Sequence, residues 1–199
     1  MLTTIFRTSI DVVAQYFAVF YAPIFVFWLI IHLNIEYWRG KAKKAYWTAC
    51  LAWPAITGPL LFYKDAIFAV RWNPPGWMII LGTMILIFGS LFGWRTFRNV
   101  PLRTIIGLPE LAPSKNAQPL LHHGIYSRTR NPIYLTHTTY IVGLALVTGF
   151  AANWALFALD IMLLPLTILA EEGELIRRYG PEYVTYMRRV PRFFPRWPW

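Results

Sequence analysis

The chain has 199 residues, of which 57% are hydrophobic and only 14% charged, with a formal net charge of +10 and a mean hydropathy of +0.43. A soluble domain carries about 25% charged residues, so this chain has too little polar surface to cover a water-soluble globule. Its basic surplus lies between and after long apolar blocks and accompanies no nucleic-acid motif, which points to a membrane surface and excludes nucleic acid as the expected partner.

Residues 12–31 form the first block without a formal charge. Crossing a hydrocarbon core takes about 20 helical residues, and this block is long enough. It exceeds the h-region of a signal peptide, only Arg7 precedes it as a cation, and no small-x-small site closes it, so it is expected to remain as a span. The second block, 45–63, contains the single cysteine, Cys50, which excludes an intrachain disulfide and a cysteine-clustered metal site. Pro54, Gly58 and Pro59 predict a kink there, with neighbouring helices covering the freed carbonyls. The third block, 74–94, carries Gly82, Gly89 and Gly93 along one face. That spacing favours close helix packing within the chain, with a homodimer through Gly89 and Gly93 as the alternative.

Segment 95–131 is punctuated by Pro101, Pro109, Pro113 and Pro119 and is not expected to form one helix. From 132 to 159 the chain again lacks Asp, Glu, Lys and Arg; Asp160 follows, then uncharged residues to 170. This stretch is either one tilted helix or a tight hairpin broken near 149–153, where Gly149 and Asn153 suit a turn. Charge arbitrates. With a hairpin, all of the 19 lysines and arginines except Arg7, Lys64 and Arg71 fall on one side; a single helix would split them and break the positive-inside bias. The expected fold is therefore all-α and polytopic, with five spans, the N-terminus outside and the basic end in the cytoplasm. Residues 1–199 form a single membrane domain, with three spans within 12–94. Region 95–199 holds the hairpin 132–170 and a cytoplasmic tail, and their meeting place on the basic side is where a functional site is expected. That tail opens as a charged helix, turns at Gly180-Pro181 and resumes through 182–190. It ends in Pro191, Pro195 and Pro198, with Phe193, Phe194, Trp197 and Trp199 among Arg192 and Arg196, a mixture suited to the headgroup layer.

The densest polar constellation runs from His122 to Tyr134, and the second is Glu171-Glu172-Gly173-Glu174. A hairpin brings the two together at the membrane boundary, where acidic residues are costly unless paired or wet. The bland alternative is a solvated helix end, with Arg128 and Arg130 as anchors. Asp160, deeper in the last span, is expected to hydrogen-bond a polar group of the fourth or first span, His137 and His32 being candidates, rather than to react. His122-His123 lacks the i,i+4 spacing of a zinc site, and no metal is expected.

Gly124-Ile125-Tyr126, Arg130-Asn131-Pro132-Ile133-Tyr134, Glu171-Glu172, Tyr179-Gly180-Pro181-Glu182-Tyr183-Val184-Thr185-Tyr186 and Arg189-Val190-Pro191-Arg192-Phe193-Phe194-Pro195 occur in this order over residues 118–195. Together they resemble the isoprenylcysteine carboxyl methyltransferase family, and the related phospholipid N-methyltransferases share much of the pattern. The first half of the chain is similar only as a set of spans. The resemblance implies a membrane enzyme that uses S-adenosylmethionine, bound at the cytoplasmic ends of the last two spans. Carried over by position, Gln118, Leu120 and Leu121 line the cofactor with backbone groups, Tyr126, Asn131 and Tyr134 contact it, Pro132 shapes the turn, and Glu171 holds its polar end. The chemistry agrees, because a sulfonium and an ammonium call for carboxylates and aromatic faces. Three positions depart from the family: Asn131 stands where the carboxyl methyltransferases usually have histidine, Thr136 where a glycine is expected, and Thr167 where a substrate-contacting arginine is found.

Methyl transfer is an in-line displacement that needs two reactants held collinear. A carboxylate acceptor needs no base, whereas an amine must lose a proton first; Glu172 and His122, with Arg130 beside them, are the candidate catalytic residues. The expected partners are membrane lipids and an amphiphilic small-molecule or prenylated acceptor. Its head is expected beside Asn131 and its tail along a wall of Ile133, Leu135, Ile141 and Leu144. The basic residues at that mouth favour an anionic head, carboxylate or phosphate, over a soluble amine. Two alternatives stand beside this reading. One is a sterol-reductase-like enzyme using NADPH, against which Glu171-Glu172 and the lack of a G-x-G-x-x-G element argue; the other is a non-catalytic scaffold of the same fold.

Overall fold

A computed structural model describes residues 2–115 and 117–195. The tail residues Arg196, Trp197, Pro198 and Trp199, expected in the headgroup layer, lie outside the described residues. The chain folds into helices α1 (Leu2–Leu33), α2 (Ile35–Trp38), α3 (Ala42–Phe62), α4 (Lys64–Ile67), α5 (Gly76–Asn99), α6 (Leu102–Ile105), α7 (Leu108–Leu111), α8 (Pro132–Thr148), α9 (Ala151–Tyr179) and α10 (Pro181–Arg189), with a 3₁₀ turn at Gly124–Ser127. Among the described residues there is no strand, only an isolated bridge between Arg71 and Phe150.

Three helices are long and apolar enough to cross a membrane: Arg7–Leu33, Gly76–Arg98 and Ala151–Tyr179. The chain is an all-α integral membrane protein. The expected second and fourth spans are α3 and α8. Tyr46, Trp47, Thr48, Trp53, Pro54, Thr57, Gly58 and Pro59 dilute the apolar character of α3. Helix α8 has 17 residues, at the short end for a hydrocarbon core about 30 Å thick. Five passes require both.

The hairpin break falls where backbone chemistry allows it. Gly149 closes α8 with φ at +71°, a left-handed conformation that side chains disfavour. Its N–H caps the helix on Ala145 O at 3.0 Å, and its carbonyl accepts from Trp72 N at 3.1 Å. An Asp11–Arg71 ion pair at 2.8 Å ties α1 to the same turn. At the other end α9 continues past the expected limit of the span to Tyr179, and Gly180-Pro181 turns the chain into α10.

The glycine stripe of α5 faces α8. A Cβ on Gly82 would meet Leu146 Cβ and Val147 Cγ2 at 2.8 Å, one on Gly93 would meet Thr136 Cγ2 at 2.7 Å, and one on Gly89 would collide with Thr139 Oγ1. The stripe is filled by this chain's own α8, the close packing within the chain that the glycine spacing favours. Thr136, the departure from the family's glycine, is accommodated because Gly93 gives up the space opposite. Asp160 has the partner expected of it, a polar group of the fourth span: it accepts from Thr138 Oγ1 at 2.7 Å, Thr138 standing in for the two candidate histidines.

Candidate functional site

At the basic end of the bundle, α9 passes under the start of α8, and residues 190–193 strap both. Arg130 N donates to Pro191 O at 3.0 Å, Thr129 Oγ1 to Phe193 O at 2.7 Å, and Asn131 Nδ2 to Arg192 O at 2.8 Å. Beneath the strap, Glu172 is 3% exposed and gathers two arginines. Arg130 Nε and Nη2 reach its Oε1 at 3.0 and 2.8 Å, and Arg192 Nη2 reaches Oε2 at 2.7 Å. Arg130 Nη1 also donates to the carbonyls of Met187 and Val190 at 2.7 and 2.8 Å.

One residue away the environment is different, because consecutive helical residues point about 100° apart. Glu171 accepts a hydrogen bond from the Tyr134 hydroxyl at Oε2, 2.8 Å away, and His32 Nε2 lies 4.0 Å from the same oxygen. Its Oε1 takes no hydrogen bond from the described residues. Glu171 borders a cavity of about 290 Å³, walled also by Tyr21, Ile24, Phe25, Trp28 and His32 of α1, by Phe97, Thr104, Ile105, Gly107 and Glu110, by Tyr126 and the run from Arg130 to Tyr134, and by His137 and Thr167. A smaller cavity of about 70 Å³ adjoins it, sharing Thr104, Glu110, Tyr126, Arg130 and Glu171 and adding Gln118, Leu120, Leu121, Leu175, Arg178, Tyr179, Tyr183 and Tyr186.

The expected cofactor residues Gln118, Leu120, Leu121, Tyr126, Asn131, Pro132, Tyr134 and Glu171 thus all line one or both of these adjoining cavities. The candidate catalytic residues are placed differently. Glu172 lines neither cavity and is neutralised by two guanidinium groups. His122 lies in a separate surface groove with Ser127, Pro181 and Arg189, its Nδ1 3.0 Å from Leu120 O. Arg130 borders both cavities, but its guanidinium is spent on Glu172 and two carbonyls. The apolar wall is corrected. Only Ile133 lines the cavity; Leu135 packs with Phe92 and Ile125, Ile141 with Tyr21 and Phe25, and Leu144 with Val19 and Phe150, inside the bundle. The cavity's apolar side comes instead from α1 and from residues 97–105.

Glu110 escaped the sequence reading. It is 8% exposed, borders both cavities, and its Oε2 has no hydrogen-bond partner. Arg178 Nη2 approaches its other oxygen at 3.3 Å while binding Glu174 with two hydrogen bonds at 2.9 and 2.6 Å. Burial holds the Glu110 carboxyl above the usual carboxylate range, and Arg178 offsets only part of that rise. The available signal was compositional: Glu110 is the only acidic residue in the basic segment 95–131. Burial also raises the Tyr126 phenol, with the charge of Glu171 adding to the effect, so the ring stays neutral and offers an uncharged aromatic face.

The sequence profile of a family described as phospholipid methyltransferase matches residues 77–182. The chain is 38% identical over 77 residues to the nickel-cobalt-cadmium resistance protein NccN of Alcaligenes xylosoxydans xylosoxydans. It is 35% identical over 77 residues to the cobalt-zinc-cadmium resistance protein CzcN of Cupriavidus metallidurans. Each match covers 39% of this chain and 36% of the relative, so the similarity spans little more than a third of either relative's length. No solved structure matches the chain.

Proposed function

The chain belongs to the phospholipid methyltransferase family, and from that premise we propose that it transfers a methyl group from S-adenosylmethionine to an amphiphilic acceptor at the cytoplasmic face of a membrane. The observation that carries the reading is convergence. Residues drawn from 118–121, the 3₁₀ turn, the start of α8 and the end of α9 surround two joined cavities at one end of the bundle.

The donor set fits the cofactor. Glu171 offers an oxygen without a hydrogen bond, Glu110 an orphaned buried one, and Tyr126 and Tyr134 offer neutral rings beside them. A carboxylate and aromatic faces are what a sulfonium and an ammonium require, the aromatic share being on the order of 1 kcal/mol per ring. When bound, S-adenosylmethionine supplies an electrophilic methyl group. The chain's own residues do the rest. Tyr134 fixes the orientation of the Glu171 carboxylate through its hydroxyl. Glu172, by binding Arg130 and Arg192, holds the strap at 190–193 over α8. Ile24, Phe25, Trp28, Phe97 and Ile133 keep water from one side of the cavity and give an apolar chain a place to lie. Orientation in such a dry slot supplies up to about 7–11 kcal/mol of the barrier reduction.

The test is calorimetry on the purified full-length chain in detergent, titrated separately with S-adenosylmethionine and NADPH. Binding of S-adenosylmethionine alone is expected. Binding of NADPH alone would replace this reading with a reductase, and binding of neither would leave a scaffold. Label from S-adenosylmethionine is then traced into a membrane lipid extract, a prenylated cysteine analogue and soluble thiols; the expected products are amphiphilic.

A further inference from the structure

The larger cavity follows a stripe of α1, because Tyr21, Ile24, Phe25, Trp28 and His32 recur every three or four residues and share one face. From His32 to Tyr21 the helix rises roughly 16 Å, so the cavity is an elongated slot. Its head end carries Glu110 and Glu171, and its middle is apolar. Its far end, inside the bundle, is polar again. There the rings of Tyr21 and His137 meet edge to face with centroids 5.2 Å apart, and both line the cavity. Neither nitrogen of His137 has a hydrogen-bond partner among the described residues. Behind Tyr21 lies Asp160, 1% exposed, bonded to Thr138 Oγ1 at Oδ2 and without a partner at Oδ1.

We infer that this deep end is a second polar subsite, recognising a hydroxyl, ether or carbonyl on the acceptor's chain a short distance below the methylated head. The inference rests on the cavity being the acceptor site of the proposed methyl transfer. A plain hydrocarbon tail would seal the His137 imidazole from water with nothing to bond, a costly arrangement inside a membrane-spanning bundle. A hydroxyl or carbonyl at that depth would satisfy His137, and Tyr21 stands beside it. His137 lies three residues below Tyr134 on α8, a rise of about 4.5 Å, so a group about four carbons below a head seated beside Tyr134 comes level with it.

The experiment uses decanoate, 5-hydroxydecanoate, decylamine and 5-hydroxydecylamine, titrated calorimetrically into the full chain in a neutral detergent. Pairing the two heads removes any dependence on which one the site prefers. In the head series that binds, the hydroxylated probe is expected to bind about three- to tenfold more tightly than its saturated partner, the range for one buried hydrogen bond. His137→Leu, checked for folding by thermal melting, is expected to abolish that preference while still binding the saturated probe. Equal or tighter binding of the saturated probe by the wild type, a preference that survives His137→Leu, or no binding of any probe would overturn the subsite. The wild-type comparison decides even where the variant does not fold. S-adenosylmethionine titrated into the same preparation separates the two ideas: its binding without a hydroxyl preference removes the subsite alone, whereas its failure to bind removes the methyl-transfer reading.

Discussion

Arg130 delivers Nε and Nη2 to a single oxygen of Glu172, at 3.0 and 2.8 Å, with the two side chains 7% and 4% exposed. A pair this buried stabilises conditionally, since removing one partner strands the other's charge. Glu172→Gln is therefore expected to destabilise the protein by about 3 kcal/mol, read as a lower melting temperature in detergent. Arg192, nearly half exposed, adds little to that figure. A Glu172→Gln variant that melts like wild type yet loses methyl transfer would return Glu172 to a catalytic role.

Its neighbour should behave in the opposite way. Glu171→Gln leaves no buried cation unpaired, so melting should shift little. Loss of a charged partner should instead weaken S-adenosylmethionine binding by roughly 1.5–3 kcal/mol, or about 10–150-fold. Tyr134→Phe, which removes the hydroxyl that orients Glu171, should give a smaller loss in the same direction. Normal binding in both variants would mean that these groups only solvate a helix end.

Much of the fold was legible because local backbone rules decide it. Gly149 breaks the hairpin, Gly180-Pro181 turns the tail, and the prolines between 101 and 119 keep that segment from forming one continuous helix. The Tyr134–Glu171 pair was legible through the family-like motif. What the sequence concealed is side and distance. Glu171 and Glu172 are adjacent letters, yet helical rotation sends one to the cavity and the other to two arginines. The charge of Arg130 looked free because nothing local reveals that Glu172 and two carbonyls consume it. The α1 wall, with Tyr21, Trp28 and His32, comes from packing between distant segments, outside the stretch that resembles a family. Only the apolar stripe of α1 is written in its own residues.

Topology is tested with reporters fused after Lys44, Arg71 and Arg130. The charge distribution predicts cytoplasmic, external and cytoplasmic readings, with α3 and α8 crossing alongside the three longer helices. A cytoplasmic reading after Arg71 would show that α3 does not cross, and the five-pass arrangement would fall.

Close packing of α5 on α8 gives a compensation test. Gly89→Ala places a methyl group against Thr139 Oγ1, and overpacking of this kind costs about 1–3 kcal/mol. Adding Thr139→Ala removes the obstructing oxygen, so the double variant should recover most of the lost melting temperature, a clear departure from additivity. Light scattering of the single variant should show an unchanged oligomeric state. A change of state without a change in stability would point to a dimer through the stripe.

The last prediction concerns Glu110, whose carboxyl is held above its ordinary value by burial. A folded-state pKa above the unfolded one means that the folded protein binds the proton more tightly. This stabilising contribution is fully present below the unfolded value, about 4.3, and is lost as pH rises through the folded value. Glu110→Gln has no proton to lose. Its melting temperature relative to wild type should therefore climb with pH across that window and level off above it. Arg178 does not reverse the sign, because its guanidinium already makes two hydrogen bonds to Glu174 and approaches Glu110 at 3.3 Å. The measurement is paired thermal melting of wild type and Glu110→Gln from about pH 4 upward in one detergent. If the difference between the two stays flat, Glu110 is not held protonated by its surroundings. If the difference falls with rising pH, Arg178 dominates burial, and Glu110 is one arm of an ordinary ion pair rather than a poised carboxyl at the junction of the two cavities.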